Sequence, residues 1–197
     1  EGMQGGGDPR NSKLVHAGFQ FGNYYRLETD KGKTTKITPQ HNIGEQPLRW
    51  NWRTPLLMSK HNPDILYTAA NKVYRSLSKG ETWEAISGDL TRNRKQGNVP
   101  FSTISTLAES PLKFGLLYVG TDDGNVYVSK DAGGSWVAIH SGLPQNKWVS
   151  SISASPLEEG TVFVSLNGYR EDDFSTHLYM STDHGKTWKS INGNLPG

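Results

Sequence analysis

One eight-residue pattern occurs three times in this chain, and it constrains the fold more than any other feature. The copies are Ser76-Leu-Ser-Lys-Gly-Glu-Thr-Trp83, Ser129-Lys-Asp-Ala-Gly-Gly-Ser-Trp136 and Ser181-Thr-Asp-His-Gly-Lys-Thr-Trp188. They begin at residues 76, 129 and 181, a period of 52–53 residues. A short alternating run precedes each copy (Lys72–Arg75, Asn125–Val128, His177–Met180) and another follows it (Trp83–Ser87, Trp136–His140, Trp188–Asn192). Alternation over four or five residues marks a strand, so each copy reads as a hairpin loop between two strands. A unit of this size cannot bury its apolar face alone, and repetition at a fixed period implies that neighbouring units stack.

Each residue type in the pattern has a role in folding. The carboxylates of Asp131 and Asp183 can accept hydrogen bonds from the loop's own amides, and Ser78 stands at that position in the first copy. Ser76, Ser129 and Ser181 open the loops, and Gly80, Gly133 and Gly185 supply a positive φ that other residues resist. Trp83, Trp136 and Trp188, first in the returning strands, are large enough to fill a gap against the next unit. These twelve positions are therefore read as structural. One carboxylate per loop, or none, is too few for a calcium ion, so no metal site is expected.

The repeat extends upstream. Ser110–Val119 matches Ser155–Val164, and Lys60–Tyr67 is a looser counterpart. Each unit then holds four short strands, in the third copy Val149–Ser155, Thr161–Leu166, His177–Ser181 and Thr187–Asn192. Four antiparallel strands at this period predict an all-β chain, a β-propeller of four-stranded blades spanning residues 1–39, 53–90, 102–142 and 148–195. Composition agrees: hydrophobic residues are only 34%, yet 6 Trp, 8 Tyr and 6 Phe supply bulky core material. The first unit is degraded. Leu14–Gln20 and Asn23–Leu27 resemble its second and third strands, and Asp30 and Gly32 survive in the loop, with Thr35 in place of Trp. Its first strand would have to come from Glu1–Asp8, and the Gly5-Gly-Gly7 run there argues against one. About three and three-quarter blades are expected, in a chain that begins inside a blade. Ring closure then calls for the remaining blades of a larger chain or a second copy.

The loops resemble Asp-boxes, also called bacterial neuraminidase repeats, over about 150 residues. Such boxes occur in sialidases, xyloglucanase-type glycosidases, photosystem assembly factors and sortilin-type receptors. Gly18–Arg26, Leu48–Leu56 and Ile86–Thr91 are most similar to bacterial exported sortilin-type propellers, often called glycosyl hydrolases. The resemblance implies a propeller and a periplasmic, cell-surface or secreted location. It implies function weakly, because the fold hosts enzymes and binding proteins alike.

Propeller topology sorts the loops. The boxes are third hairpins and mark one face. The inter-blade links (40–52, 88–102, 143–147) and the middle hairpins (122–124, 168–176) fall on the other, where a ligand is expected. Hairpin 168–176 is about seven residues longer than its counterpart. Ligand-face candidates are Arg49, Trp50, Trp52, Arg53, Arg92, Arg94, Tyr169 and Arg170. Indole could stack on a sugar ring while arginine hydrogen-bonds its hydroxyls. The plainer reading of 49–53 makes one Trp core and both arginines solvated, because alternation sends neighbours to opposite sides. Glycoside hydrolysis needs two carboxylates, for which Asp122, Asp123, Asp172 and Asp173 are weak candidates. Asp123-Gly124 reads more simply as a turn and Glu171–Asp173 as a loop tip.

Much else is excluded. Lys+Arg 21 against Asp+Glu 19 shows no bias towards polyanions, and no nucleic-acid partner is expected. The absence of cysteine removes disulfides, thiolate metal sites and cysteine nucleophiles. No apolar run approaches the roughly 18 residues of a membrane span. The six histidines show no metal-ligand spacing, and neither a Gly-x-Ser-x-Gly elbow nor a phosphate loop occurs, so no cofactor is expected. The expected function is a non-catalytic binding or scaffold segment of a larger exported protein, presenting the face opposite the boxes to a protein, peptide or glycan. The alternative is a glycoside hydrolase, xyloglucanase- or sialidase-like, or a non-catalytic part of one.

Overall fold

The computed structural model describes residues 4–95 and 97–195. It holds four four-stranded antiparallel sheets, each a meander whose strands pair in chain order. Blade 1 comprises β1 (Gln4–Asp8), β2 (Asn11–Phe19), β3 (Asn23–Glu28) and β4 (Lys33–Lys36). Blade 2 comprises β5 (Leu56–Met58), β6 (Leu66–Ala69), β7 (Val73–Ser76) and β8 (Glu84–Ala85). Blade 3 comprises β9 (Ile104–Glu109), β10 (Leu117–Thr121), β11 (Val126–Ser129) and β12 (Val137–Ala138). Blade 4 comprises β13 (Trp148–Ala154), β14 (Val162–Gly168), β15 (Asp173–Ser181) and β16 (Lys189–Ser190). The all-β propeller class expected from the repeat is the one observed.

Two expectations need correction. The glycine run does not replace a strand: Gly5, Gly6 and Gly7 pair with Ala17, His16 and Val15, which makes the first sheet four-stranded. Glycine weakens a strand but cannot prevent one when a nine-residue neighbour supplies the ladder. Residues 1–3 of the proposed segment lie outside the described residues. The second correction concerns 168–176. Most of this insertion lengthens β14 and β15 instead of forming a loop, with Gly168 opposite Asp173. Only a one-turn 3-10 helix, Tyr169–Glu171, and a left-handed Asp172 (φ 54°) close the hairpin.

The box loops fold as local hydrogen-bond clusters that also join blades. Asp131 accepts from the Ser135 amide (2.8 Å) and the Ser129 and Ser135 hydroxyls. Asp183 does the same with the Thr187 amide (2.9 Å) and the Ser181 and Thr187 hydroxyls. These donors hold both carboxyls below their usual pKa, the Ser135 side chain leading at Asp131 and the Thr187 amide at Asp183. Ser78 reproduces the pattern with a hydroxyl, accepting from the Thr82 amide at 3.0 Å.

Each tryptophan reaches back one blade. Trp83 Nε1 donates to the Ile37 carbonyl (2.6 Å), Trp136 to Ile86 (2.8 Å) and Trp188 to Ile139 (2.6 Å). The glycine of the same loop lies flat on that isoleucine's side chain. A Cβ at Gly133, at φ +95°, would come within 2.7 Å of Ile86, and one at Gly80 within 2.8 Å of Ile37. The box glycine thus serves the junction as well as the turn. In blade 1, Gly32 has nothing within 4 Å of its Cβ position, and Thr35 stands where the Trp would be. Among the described residues, the box of blade 1 makes no such junction.

The cores lie between blades. Ile65, Tyr67, Val73, Ile104 and Leu107 fill the junction of blades 2 and 3, and Tyr118, Val126, Val149, Ile152 and Val164 fill that of blades 3 and 4. The junction of blades 1 and 2 has a smaller core, Tyr24, Ile37 and Leu66, with Trp50 and Trp83 packed against it.

Candidate functional site

The links opposite the boxes are knitted together by the arginines that sequence reading placed there. Arg49 donates to the Asp89 carboxylate (2.6 Å), the Thr91 hydroxyl (2.9 Å) and the Ser102 carbonyl (3.1 Å). Arg92 donates to Asn125, Asn146 and Gln145, and Arg94 also to Asn146. Each link is tied to the next, one blade further on. Burial pushes the Asp89 carboxyl up, but hydrogen bonds from Thr91 and Arg49 outweigh it and leave the pKa lowered. Arg49 is thus an ion-paired brace, contrary to the solvated reading of both arginines, whereas Arg53 is exposed. Trp50 lies edge-on to Tyr24 at 6.1 Å and covers Gly22, so it is the core indole of its pair. Trp52 is 53% exposed and packs edge-on against Phe21.

The carboxylate candidates are dispersed in role. Asp122 is buried. It accepts from the Thr103 amide (2.8 Å), the Thr103 hydroxyl (2.6 Å) and the Asn51 side-chain amide (3.1 Å). Burial, with Asp123 adjacent, pushes its pKa up to about 6. Asp123, also buried, accepts from the Arg92 amide (2.7 Å) and the Thr121 hydroxyl (2.6 Å). Asp172 is exposed at the hairpin tip. Asp173 accepts from Lys147 Nζ and from His177 Nε2, both at 2.8 Å, and Lys147 chiefly holds its pKa far below the usual range. Asp122 and Asp123 fasten a link and a hairpin to blade 3, and Asp173 fastens the long hairpin to the link before blade 4.

What the structure does bring together is an axial groove of about 430 Å³, walled by the first strands of the blades, the link residues before β5 and the end of β14. Arg53, Ser105, Thr106, Trp148, Asn167 and Tyr169 line it. At its rim the Arg170 guanidinium sits 4.5 Å from the Trp148 ring centre and 5.7 Å from that of Tyr169, and its Nε donates to the Tyr169 hydroxyl. The Asn167 side-chain oxygen is buried without a hydrogen-bond partner. Among the described residues, no Asp or Glu lines it. Of the eight ligand-face candidates, Arg53, Tyr169 and Arg170 meet at this groove and its rim, and the others do not line it. Sequence reading missed Trp148, Ser105, Thr106 and Asn167. The signal was available in the topology, since first strands of blades face the axis and Trp148 opens β13.

Comparison with known proteins places this geometry. The model of the Sortilin-Vps10 family, described as sortilin, neurotensin receptor 3, matches residues 59–196. An oligoxyloglucan-reducing end-specific xyloglucanase of Emericella nidulans is 23% identical over 94% of this chain and 23% of its own length. Sortilin of Danio rerio is 25% identical over 67% of this chain and 14% of its own. Among solved structures, the GH74 xyloglucanase of Xanthomonas campestris superposes with a TM-score of 0.65 at 19% identity, covering 95% of this chain and 30% of that one. The Dos1 propeller gives a TM-score of 0.59 at 15% identity, over 91% of this chain and 46% of that one. The chain thus spans about a quarter of the length of the curated xyloglucanase it matches. These structures, all under 25% identical, share its fold.

Proposed function

Because the chain belongs to the Sortilin-Vps10 family, as a propeller related to GH74 xyloglucanases as well, we propose that it is a non-catalytic binding segment whose ligand lies in the axial groove. The observation that carries this reading is the lining itself. Hydroxyls and an amide (Ser105, Thr106, Asn167), an arginine and two aromatic rings line the groove, and among the described residues no Asp or Glu does. Such a surface can stack a sugar ring on Trp148 or Tyr169 and satisfy its hydroxyls, or hold an extended peptide by its amides. Its described residues supply no pair of carboxyls of the kind that hydrolysis uses.

A second reading, hydrolysis, has one observation in its favour: a carboxyl raised to about 6, that of Asp122, has the pKa of a general acid. Burial explains that shift without catalysis, and three donors already occupy its oxygens. The outer faces of the end blades bear on partners. On blade 1, Phe19 stacks on Tyr25 at 5.8 Å, and Phe19 is 40% exposed. On blade 4, half-buried Phe163 pairs with Met180. These apolar pairs support packing of further blades or of a second copy. An exported location accords with the likeness to the extracellular domain of a putative one component system from B. thetaiotaomicron, at a TM-score of 0.55.

Calorimetric titration with xyloglucan oligosaccharides and with an extended peptide tests the reading. Saturable binding by one of them, weakened at least tenfold in Trp148→Ala and Arg53→Ala, is the expected result. Release of reducing sugar that disappears in Asp122→Asn would overturn it.

A further inference from the structure

Beside the groove, between blades 1 and 2, lies a second cavity of about 510 Å³. It exists because of the glycine strand. At the other two junctions the first strand of the preceding blade contributes an apolar side chain, Leu57 of β5 between blades 2 and 3 and Ala108 of β9 between blades 3 and 4. β1 sends none: the Cβ position of Gly6 meets nothing within 4 Å. Leu56, Met58, Leu66, Pro9 and Pro63 form most of the remaining wall, and Ser59 and Lys60 add a polar edge to it.

One polar side chain inside this wall is out of place. His16, on β2, lines the cavity and is 2% exposed, and neither ring nitrogen has a hydrogen-bond partner. The Lys79 backbone lies near the ring, but no hydrogen bond of normal geometry forms with either nitrogen. A buried imidazole without partners is costly, and native structures rarely leave one. Burial above all, with the Arg26 charge, lowers the ring's pKa from its usual value, against the nearby Lys79 backbone and Asp8. A neutral imidazole offers one N–H donor and one acceptor nitrogen.

We propose that this cavity is a binding site for a small, neutral aromatic alcohol, with the ring lying flat against the glycine strand and its hydroxyl hydrogen-bonded to His16. The glycine backbone at Gly6 gives a flat wall where any side chain would intrude. Leu56, Met58 and Leu66 bury an apolar ring, and Met58 supplies a polarisable sulfur suited to aromatic contact. A neutral hydroxyl can donate to the bare nitrogen of His16 or accept from its N–H, whereas a carboxylate can only accept and leaves the bare nitrogen unmet. The site rests on residues that do not line the axial groove, apart from the shared Leu56 and Leu57.

Titration of the full chain with phenol, benzene and benzoate, followed by the side-chain nitrogen resonances of His16, tests this. Phenol is expected to shift a ring-nitrogen signal saturably and to bind at least tenfold more tightly than benzene or benzoate. Gly6→Val, placed where there is room for it, should abolish phenol binding without lowering the melting temperature. His16→Phe should remove the preference of phenol over benzene. No saturable shift in the native chain, or an unchanged preference in His16→Phe, would overturn the proposal. Oligosaccharide or peptide binding in Gly6→Val separates this site from the groove, because loss there would show that the two are one.

Discussion

At the scale of single residues, a charged group's surroundings decide its role more than its type does. Asp122, Asp123 and Asp173 all lie on the side opposite the boxes, and each is committed to donors that fasten loops. None of those partners could be named from the sequence, because Asn51, Thr103, Arg92 and Lys147 reach them from other segments. Asp122 yields a testable consequence. Its folded pKa, about 6, lies above that of an unfolded aspartate, so between these values the folded state binds more protons than the unfolded one. Stability from this group is therefore complete below the unfolded pKa and is lost as pH rises through the folded one. Lowering the pH from 7 to 5 should stabilise the native chain by about 1 kcal/mol relative to Asp122→Asn. Denaturant melts of both proteins at the two pH values measure it. An equal response of both would show that Asp122 titrates normally.

At the scale of elements, the box loop explains how one blade holds the next. Its Asp or Ser, its Gly and its Trp are close in sequence, so the loop was legible there. The partner isoleucines, some fifty residues upstream, were not, although Ile37, Ile86 and Ile139 recur in step with the boxes. Trp136→Ala should remove a partly buried indole and its hydrogen bond to Ile86, at a cost of about 3 kcal/mol. Ser78→Asp restores the carboxylate found at 131 and 183 and should be neutral or mildly stabilising. Thermal melts of the two variants check both values. A loss in Ser78→Asp as large as that in Trp136→Ala would contradict the equivalence of the loops. The strand that sequence reading missed, β1, failed for a physical reason. Its glycines carry no alternation and little strand propensity, and the pairing with β2 is a tertiary effect.

At the scale of the whole molecule, the described residues form a run of four stacked blades with an axial groove along their inner strands. The fold was legible because the period of the boxes sets the period of the blades. The groove was less so. Its residues sit one blade apart, at 53, 105 and 148, and only the stacking brings them to one axis. The hairpin 168–176 contributes Tyr169 and, at the rim, Arg170, while most of the floor comes from strands. Under the proposed function this floor binds its ligand and does not cleave it. Hydrogen–deuterium exchange in the presence of the oligosaccharide or peptide that binds in calorimetry tests it most directly. Protection concentrated in residues 53–57, 105–107, 148–151 and 167–169, with the ligand recovered intact, is the predicted result. Protection confined to the box face, or recovery of a cleaved ligand, would contradict it.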